Sequence, residues 1–235
     1  MKRATKLADG VLLLGAYRPA GASRAGDGCW LLHHGDEAAI VDLPPFGDGD
    51  GTPVDAAEEV CRALDLKVRY LLCTVLETDH FHPDTLRGFA VAFPDAVPVL
   101  HKAFARHVPD RGARFFEDRE TVNLALGGEP LILVHAPKHS PTDTFVVFRG
   151  TAITGGWEFD TLRSVNDQGP SRVPLSVRRQ TIDGLMRFGQ GYQVNTVLSS
   201  HADDVRRNVN FVRLLGGTLL DRDFGWGTPV GEAGD

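Results

Sequence analysis

The sequence predicts an α/β protein of the α+β kind, in which two mixed sheets pack face to face beneath outer helices as a four-layer αββα sandwich. Two observations predict this arrangement. Each half of the chain shows strands followed by helices, and several strands are nearly continuous apolar runs, as expected for strands covered on both faces. The chain has 235 residues, 42% of them hydrophobic, enough for one substantial core. We therefore expect a single domain over residues 1–235, with residues from about 218 to 235 as a C-terminal tail.

The first half of the chain is predicted to begin with strands and to continue with alternating helices and strands. A Gly-containing turn at residues 34–36 joins two apolar runs, which is typical of a hairpin. Helical spacing of apolar residues behind Pro53, a favoured first-turn residue, predicts the first helix. In chain order, the predicted elements are strands at 11–15, 29–33 and 37–43, a helix at 53–64, a strand at 68–74, a helix at 84–93, a strand at 97–100 and a short helix at 102–107.

The second half repeats the pattern of strands followed by helices. For its last helix, Val205, Val209, Val212 and Leu215 recur on one face, and Asp203 lies near the predicted N-terminus, where an acidic side chain is favourable. In chain order, the predicted elements are strands at 131–135, 145–149 and 151–154, a helix at 175–188, a strand at 194–199 and a helix at 203–215.

Composition excludes several classes of protein. The net charge of −6, from 25 basic and 31 acidic residues, argues against a nucleic-acid groove. No apolar run approaches the roughly 18 residues needed to span a bilayer, and the N-terminal run is too short for a signal sequence, so a cytoplasmic location is expected. The three cysteines lack CxxC spacing, which favours reduced thiols. The expected partner is a small-molecule substrate, not nucleic acid or a membrane, and the oligomeric state is left open.

Histidines and carboxylates gather in the segments that follow four predicted strands. These segments are residues 74–82, 135–141, 155–158 and the stretch that ends at His201. Because loops at one edge of a sheet can converge, we expect these side chains to lie close together. Imidazole and carboxylate together suit zinc, iron or manganese. The other histidines are expected at the surface or in packing, with the role of His82 left open: His33, His34, His101, His107 and His135.

The order of these motifs resembles that of the metallo-β-lactamase superfamily, over about residues 9–217. The family places HxHxDH after a buried strand, where this chain has the run Val75-Leu76-Glu77-Thr78-Asp79-His80. Pro137-Lys138-His139-Ser140-Pro141 is similar to the family's PGH[ST]P segment. The family's TGD segment corresponds to Thr154-Gly155-Gly156, which lacks the aspartate. The resemblance implies a metallo-β-lactamase-like fold and two neighbouring metal sites.

The second of the two implied metal sites has its complete ligand set. The matching positions are Asp79, His80 and His201. Three protein ligands and an open position are typical of a catalytic metal. The resemblance therefore implies that this site binds one divalent ion.

The first implied site departs from the family pattern. Its positions correspond to Val75, Glu77 and His139, and Val75 has no atom that can coordinate a metal. The bridging carboxylate is missing at Gly156, and Glu158, two residues further on, is the candidate replacement. One metal ion per chain is therefore expected rather than two.

Glu77 gives a second resemblance. A glutamate at the second histidine position is similar to the HxExDH motif of the flavodiiron and oxygen-binding diiron branch, and residues 93–100 are similar to that branch as well. A carboxylate makes the site harder and favours iron over zinc. The expected cofactor is therefore a divalent metal, either zinc or iron.

Three functions remain open at this point. The first is a metal-dependent hydrolase of an ester, thioester, lactone or phosphoester, with Asp79 and His139 as candidate catalytic residues and His139 or Glu77 as the general base. The second is an iron protein that binds or reduces oxygen or nitric oxide. The third is a non-catalytic relative, favoured by Val75 and Gly156, because a fold alone does not fix a function.

Overall fold

The first sheet positions the candidate site through its parallel strands. The computed structural model describes residues 4–17, 26–47, 51–108, 112–164, 167, 169, 172–199 and 205–220. Seven strands lie side by side in chain order, and the last four run parallel, so their carboxyl ends meet at one edge. The strands are β1 (Thr5–Ala8), β2 (Val11–Tyr17), β3 (Asp27–His34), β4 (Glu37–Val41), β5 (Lys67–Leu72), β6 (Val97–His101) and β7 (Arg114–Phe116).

The second sheet has six strands, which lie in the order β13-β12-β11-β10-β9-β8. All neighbours are antiparallel except β11 and β12, which run parallel. The strands are β8 (Thr121–Leu126), β9 (Glu129–His135), β10 (Thr144–Phe148), β11 (Thr151–Ile153), β12 (Thr196–Leu198) and β13 (Val205–Arg207).

Helices cover the outer face of each sheet. α1 (Pro53–Leu64) and α2 (Pro83–Ala92) pack on the first sheet, and α3 (Leu175–Gly191) and α4 (Phe211–Leu219) pack on the second. A 3-10 helix spans Lys102–Arg106. None of the helices in the described ranges is long and apolar enough to cross a membrane.

Alternation along the strands builds the layers. In β3, Leu31 contacts the outer cluster beneath α1 and α2, while Trp30 faces the second sheet. In β10, Phe145 packs beneath α3 and α4, while Val146 faces the first sheet. Successive side chains of a strand point to opposite faces, so a strand buried on both sides must be apolar throughout. The predicted αββα sandwich is confirmed.

Local signals explain the start of α1. The Thr52 hydroxyl accepts a hydrogen bond from the Asp55 N–H, and the Asp55 carboxylate accepts one from the Thr52 N–H. This reciprocal pair satisfies two N–H groups that a helix start leaves without partners, and Pro53 needs none. The helix has the predicted bounds.

The structure departs from the sequence prediction at four elements. The strands β1, β7 and β8 were not predicted. The predicted helix over 203–215 is wrong at its start, because residues 205–207 form β13 beside β12, and α4 begins only behind the Asn210 cap. Pairing with β12 satisfies backbone groups at the sheet edge, and this outweighs the helical spacing of Val205 with the later apolar residues.

Candidate metal centre

The candidate site lies where the carboxyl ends of β4, β5, β9 and β11 approach one another. Two backbone contacts fix the segment after β5. The Leu43 N–H donates to the His80 carbonyl at 2.8 Å, and the Thr144 N–H donates to the Thr74 carbonyl at 2.7 Å. Gly155, with φ +60°, lies so close to Thr74 that a Cβ there would be 2.8 Å from the Thr74 hydroxyl oxygen. The glycine is thus required by both its conformation and its close contact.

His80 forms the centre of one half of the site, together with two buried aspartates. Its Nδ1 lies 3.3 Å from Asp42 Oδ2, and its Nε2 lies 3.9 Å from Asp27 Oδ1. Asp27, Asp79 and His80 each offer one ligand atom, and these atoms lie within 4.8 Å of one another. His80 and Asp27 are buried, whereas Asp79 is partly exposed. Asp42 orients the imidazole so that Nε2 faces the group, as second carboxylates do beside metal-binding histidines.

The charges around His80 set its protonation in the metal-free protein. Burial alone would lower the pKa of His80, but the hydrogen bond and charge of Asp42, with smaller contributions from Asp27 and Asp79, raise the pKa to about 9. Imidazole must lose this proton to coordinate a metal. A metal ion bound at this half would therefore displace a proton from His80.

The other half of the site is a network of ion pairs centred on His139. Its Nε2 lies 3.3 Å from Glu77 Oε2, and its Nδ1 lies 3.1 Å from Glu158 Oε1. The Lys138 ammonium donates to Glu158 Oε2 at 2.9 Å. Ser164 donates to Glu158 Oε1 at 3.1 Å. Both ring nitrogens of His139 and both oxygens of Glu158 are thus engaged by protein groups.

These contacts shift the pKa values of the network in opposite directions. Burial would lower the pKa of His139, but the hydrogen bonds to Glu158 and Glu77 raise it to about 10. Burial would raise the pKa of Glu158, but the hydrogen bond to His139 and the charge of Lys138 lower it to about 2. Burial lowers the pKa of Lys138, and Glu158 opposes this. His139 is therefore charged near neutral pH.

A buried aspartate holds the loop that carries His139. Asp143 Oδ2 accepts hydrogen bonds from the N–H groups of Lys138 at 2.9 Å, His139 at 2.7 Å and Ser140 at 2.9 Å. The Thr142 hydroxyl accepts another from the Leu76 N–H, which links this loop to the segment after β5. The loop backbone is thereby held against both sheets.

A second group of potential ligands lies further along the same edge, at His101, Asp118 and His135. The Arg119 N–H donates to His135 Nδ1 at 2.8 Å, and His135 Nε2 lies 2.9 Å from the Pro141 carbonyl. The imidazole rings of His101 and His135 stack with 4.7 Å between centroids and 5° between planes. The in-plane lone pairs of parallel rings do not converge on one point. This geometry favours packing, which is one of the two roles, surface or packing, predicted for both histidines.

The structure brings the predicted residues together in two groups. Glu77, His139 and Glu158 lie together in one, and Asp79 and His80 lie in the other. The Glu77 carbonyl accepts hydrogen bonds from the His80 N–H and the Phe81 N–H, so one turn joins the groups. His201 lies outside the described residues. The metal-ligand assignments remain predictions.

Three charged residues of the site were not among the predicted site residues: Asp27, Asp42 and Lys138. Asp42 directly follows an apolar strand, which was the available signal. Asp27 precedes the strand predicted at 29–33 and is the first residue of β3, so its position at the start of a strand gave no reason to place it here. Lys138 was visible within the segment that resembles PGH[ST]P, where it replaces the glycine.

Fit to a metal differs between the two groups. Around His80, two carboxylates and one oriented imidazole form a donor set that suits a divalent cation. Around His139, Val75 is fully buried and apolar, and a Cβ on Gly156 would lie 3.1 Å from His139 Nε2. Glu158 is held by Lys138. The residues present fit a metal ion around His80 and do not fit one around His139.

Comparison with known proteins defines the class of fold. No protein-family model matches the sequence, and no curated protein matches it. The DIM-1 metallo-β-lactamase exposed to ceftazidime superposes with a TM-score of 0.66 at 11% identity, covering 94% of this chain and 95% of that one. A B3 metallo-β-lactamase described as the first with an active-site glutamic acid gives 0.57 at 14%, covering 91% and 87%.

A third similar structure is named as an oxidoreductase and not as a β-lactamase. Rubredoxin oxygen:oxidoreductase from Desulfovibrio gigas gives a TM-score of 0.61 at 15% identity and covers 92% of this chain. This chain spans 60% of the length of that protein. Identities this low define the fold alone. The protein has the metallo-β-lactamase fold, as the sequence motifs predicted.

Proposed function

We propose that this protein is a metal-dependent hydrolase that holds its metal with Asp79, His80 and Asp27 and acts on an ester, thioester, lactone or phosphoester. The observation that carries the proposal is the convergence of these three side chains within 4.8 Å, with His80 oriented by Asp42. His201, predicted as a further ligand, belongs to the same proposal. Three carboxylates, those of Asp27, Asp42 and the partly exposed Asp79, lie around one imidazole, so even a protonated His80 leaves a net negative charge. A divalent cation would balance that charge, which supports a metal at this position.

The remaining residues define what the chain itself contributes. A bound divalent metal would lower the pKa of water and polarise a carbonyl or phosphoryl oxygen. Glu77, whose side chain is 26% exposed, is the candidate proton acceptor. His139 has both nitrogens against carboxylates, so it is suited to hold Glu77 in place or to donate a proton, and not to accept one.

Two other functions are supported by particular residues. An iron protein that binds or reduces oxygen or nitric oxide is favoured by Glu77, because a carboxylate is a harder ligand than imidazole. A non-catalytic relative is favoured by the ion pairs that involve Lys138, Glu158 and His139. These ion pairs occupy the side chains that would otherwise bind a metal at the first of the two implied metal sites. The metal that the protein contains separates these functions from the hydrolase.

The test compares metal content and hydrolysis in matched variants. Protein purified without added metal is expected to contain about one zinc and to hydrolyse at least one substrate in a panel of chromogenic esters, thioesters, lactones and phosphoesters. Asp79→Asn should lower metal affinity by roughly tenfold or more and abolish that hydrolysis. Asp36→Asn, which changes an exposed carboxylate paired with Lys67, should change neither. Wild-type protein that binds no metal and hydrolyses none of the substrates would contradict the proposal and favour a non-catalytic relative. Bound iron would favour the protein that binds or reduces oxygen or nitric oxide.

A further inference from the structure

Lys138 places a buried positive charge inside the site. Its side chain has no exposed surface. The ammonium donates to Glu158 Oε2 at 2.9 Å and to the Arg163 carbonyl at 3.0 Å, and it lies 5.0 Å from the centroid of the Trp157 ring. Burying an ammonium is costly unless its partners compensate, so this arrangement fixes both the lysine and its carboxylate partner.

The carboxylate that Lys138 holds is the one best placed to replace the missing bridge. Glu158 follows Gly156 by two residues, and Gly156 corresponds to the family's bridging aspartate. Glu158 Oε2 accepts from Lys138, while Oε1 accepts from Ser164 and faces His139 Nδ1 at 3.1 Å. A metal ion would have to displace these groups to reach the carboxylate.

The same network also includes Glu77 and His139, the two polar residues of the first implied metal site. His139 Nε2 lies 3.3 Å from Glu77, so the imidazole bridges two carboxylates. Lys138 and His139 supply two cationic groups against the two carboxylates of Glu77 and Glu158. Within the described residues, each of these four groups thus has a partner of opposite charge that is not a metal ion.

We propose that the Lys138 ammonium takes the place of the first metal ion, so that it positions Glu158 and, through His139, Glu77 beside a single metal at the Asp79 and His80 end. This inference rests on the proposed function for the existence of that single metal. It predicts that restoring a histidine at position 75 is not sufficient to create a second metal site, because Glu158 and His139 stay engaged.

The test uses Val75→His with and without Lys138. Methionine keeps the volume of the lysine stem but removes its charge. Val75→His alone is expected to bind no more zinc than the wild type, whereas Val75→His with Lys138→Met should gain about one further equivalent per chain. Val75→His with Lys67→Met, which removes an exposed lysine paired with Asp36, should behave as Val75→His does.

The decisive quantity is the difference between the two Val75→His proteins. If Val75→His alone gains a second equivalent, or the folded protein with both Val75→His and Lys138→Met gains none, the inference is overturned. If removal of the lysine prevents folding, the variants are refolded in the presence of zinc. Zinc should restore folding of the protein with both Val75→His and Lys138→Met, but not of Lys138→Met alone. Failure of zinc to restore folding of the double variant would contradict the inference. A wild type without metal would overturn the proposed function, while the difference between the variants would still test the role of Lys138.

Discussion

Asp42 shows how one residue can prepare the site without contacting a substrate. It is fully buried, it has a positive φ of 62°, and it accepts hydrogen bonds from the Thr74 N–H at 2.7 Å and the Thr74 hydroxyl at 2.8 Å. Aspartate tolerates this left-handed backbone better than most residues. Its second oxygen faces His80 Nδ1. Asp42 is therefore a positioning residue that fixes which nitrogen of His80 faces Asp27.

Asp42→Asn tests this positioning role. Asparagine keeps the shape and tolerates the backbone, but it removes the charge that raises the pKa of His80 to about 9. We expect the pKa of His80 in the metal-free protein to fall, and metal affinity to fall by roughly tenfold or more. An NMR titration and a competition assay measure the two effects. Unchanged values for both, with Asp118→Asn as the control at an unrelated histidine, would contradict the role of Asp42.

The ion pairs of His139 predict a pH dependence of stability. The pKa of His139 is raised from 6.5 to about 10 in the folded protein, so its contribution is fully present below about pH 6.5 and is lost as the pH rises through 10. We expect the free energy of unfolding of chelator-treated protein to fall over this range, and His139→Gln to remove about 1–3 kcal/mol of that fall. Urea denaturation across the range measures it. His82→Gln is the control, and superimposable profiles for wild type and His139→Gln would exclude the predicted ion pairs.

At the scale of elements, strand-end loops were the informative feature of the sequence. The predicted loops after β5, β9 and β11 do converge, because these strands end at one edge. The strand β7 has only three residues, which is too short for a recognisable pattern. In β8, Val122, Leu124 and Leu126 alternate with more exposed residues, which is the period-2 pattern of a strand covered on one face, so this strand was predictable. Asp27 was also inaccessible to sequence reasoning, because only the placement of β3 beside β4 brings it near His80.

The start of α4 gives a test of an element boundary. The Asn210 side chain accepts a hydrogen bond from the Arg213 N–H at 3.0 Å, directly before Phe211. Asn210→Ala should therefore lower the free energy of unfolding by about 1 kcal/mol, as loss of a helix cap does. Urea denaturation measures the change, and the exposed Asp183→Ala on α3 serves as the control. A helix that began at Asp203, as the spacing of apolar residues predicted, would be insensitive to this substitution.

The loop that carries His139 is predicted to depend on Asp143. Its carboxylate is the shared acceptor of three buried N–H groups, those of residues 138, 139 and 140. Removing it in Asp143→Ala should destabilise the protein by about 3 kcal/mol or more, because buried donors would lose their acceptor. Chemical denaturation measures this loss. A change below about 1 kcal/mol would show that water or another group replaces the carboxylate at little cost.

For the whole molecule, the sandwich brings together loops that are distant along the chain. The central apolar cluster fixes the two sheets face to face, and the site lies where their ends meet. The layered fold was predictable because strands followed by helices in each half of the chain, and nearly continuous apolar strands, can be recognised even where the element boundaries are inexact. The ion pairs that involve Lys138 were not, because they depend on distances between side chains of separate loops.

Metal removal tests whether the fold depends on the proposed ion. Chelator treatment should lower the melting temperature, and zinc or iron should restore it, since a ligand at a hundredfold excess over its dissociation constant stabilises the folded state by about 2.7 kcal/mol. Glu77→Gln separates two of the candidate functions. If Glu77 is an iron ligand, as in the second candidate, this variant should weaken the restoration by iron more than by zinc, because the harder oxygen ligand is removed. If Glu77 is the proton acceptor of the proposed hydrolase, the restoration by either metal should be unchanged. A melting temperature that changes neither with chelator nor with either metal would contradict the proposal that this protein binds a metal ion.

Calorimetric titration of zinc into metal-stripped wild-type protein tests the central claim most directly. The claim is that the Asp79 and His80 end binds one ion and that the Lys138 network excludes a second. The predicted result is a single transition at about one equivalent per chain, with proton release because His80 must lose its proton, and loss of that transition in Asp79→Asn. Binding of two equivalents, or of none, would contradict it.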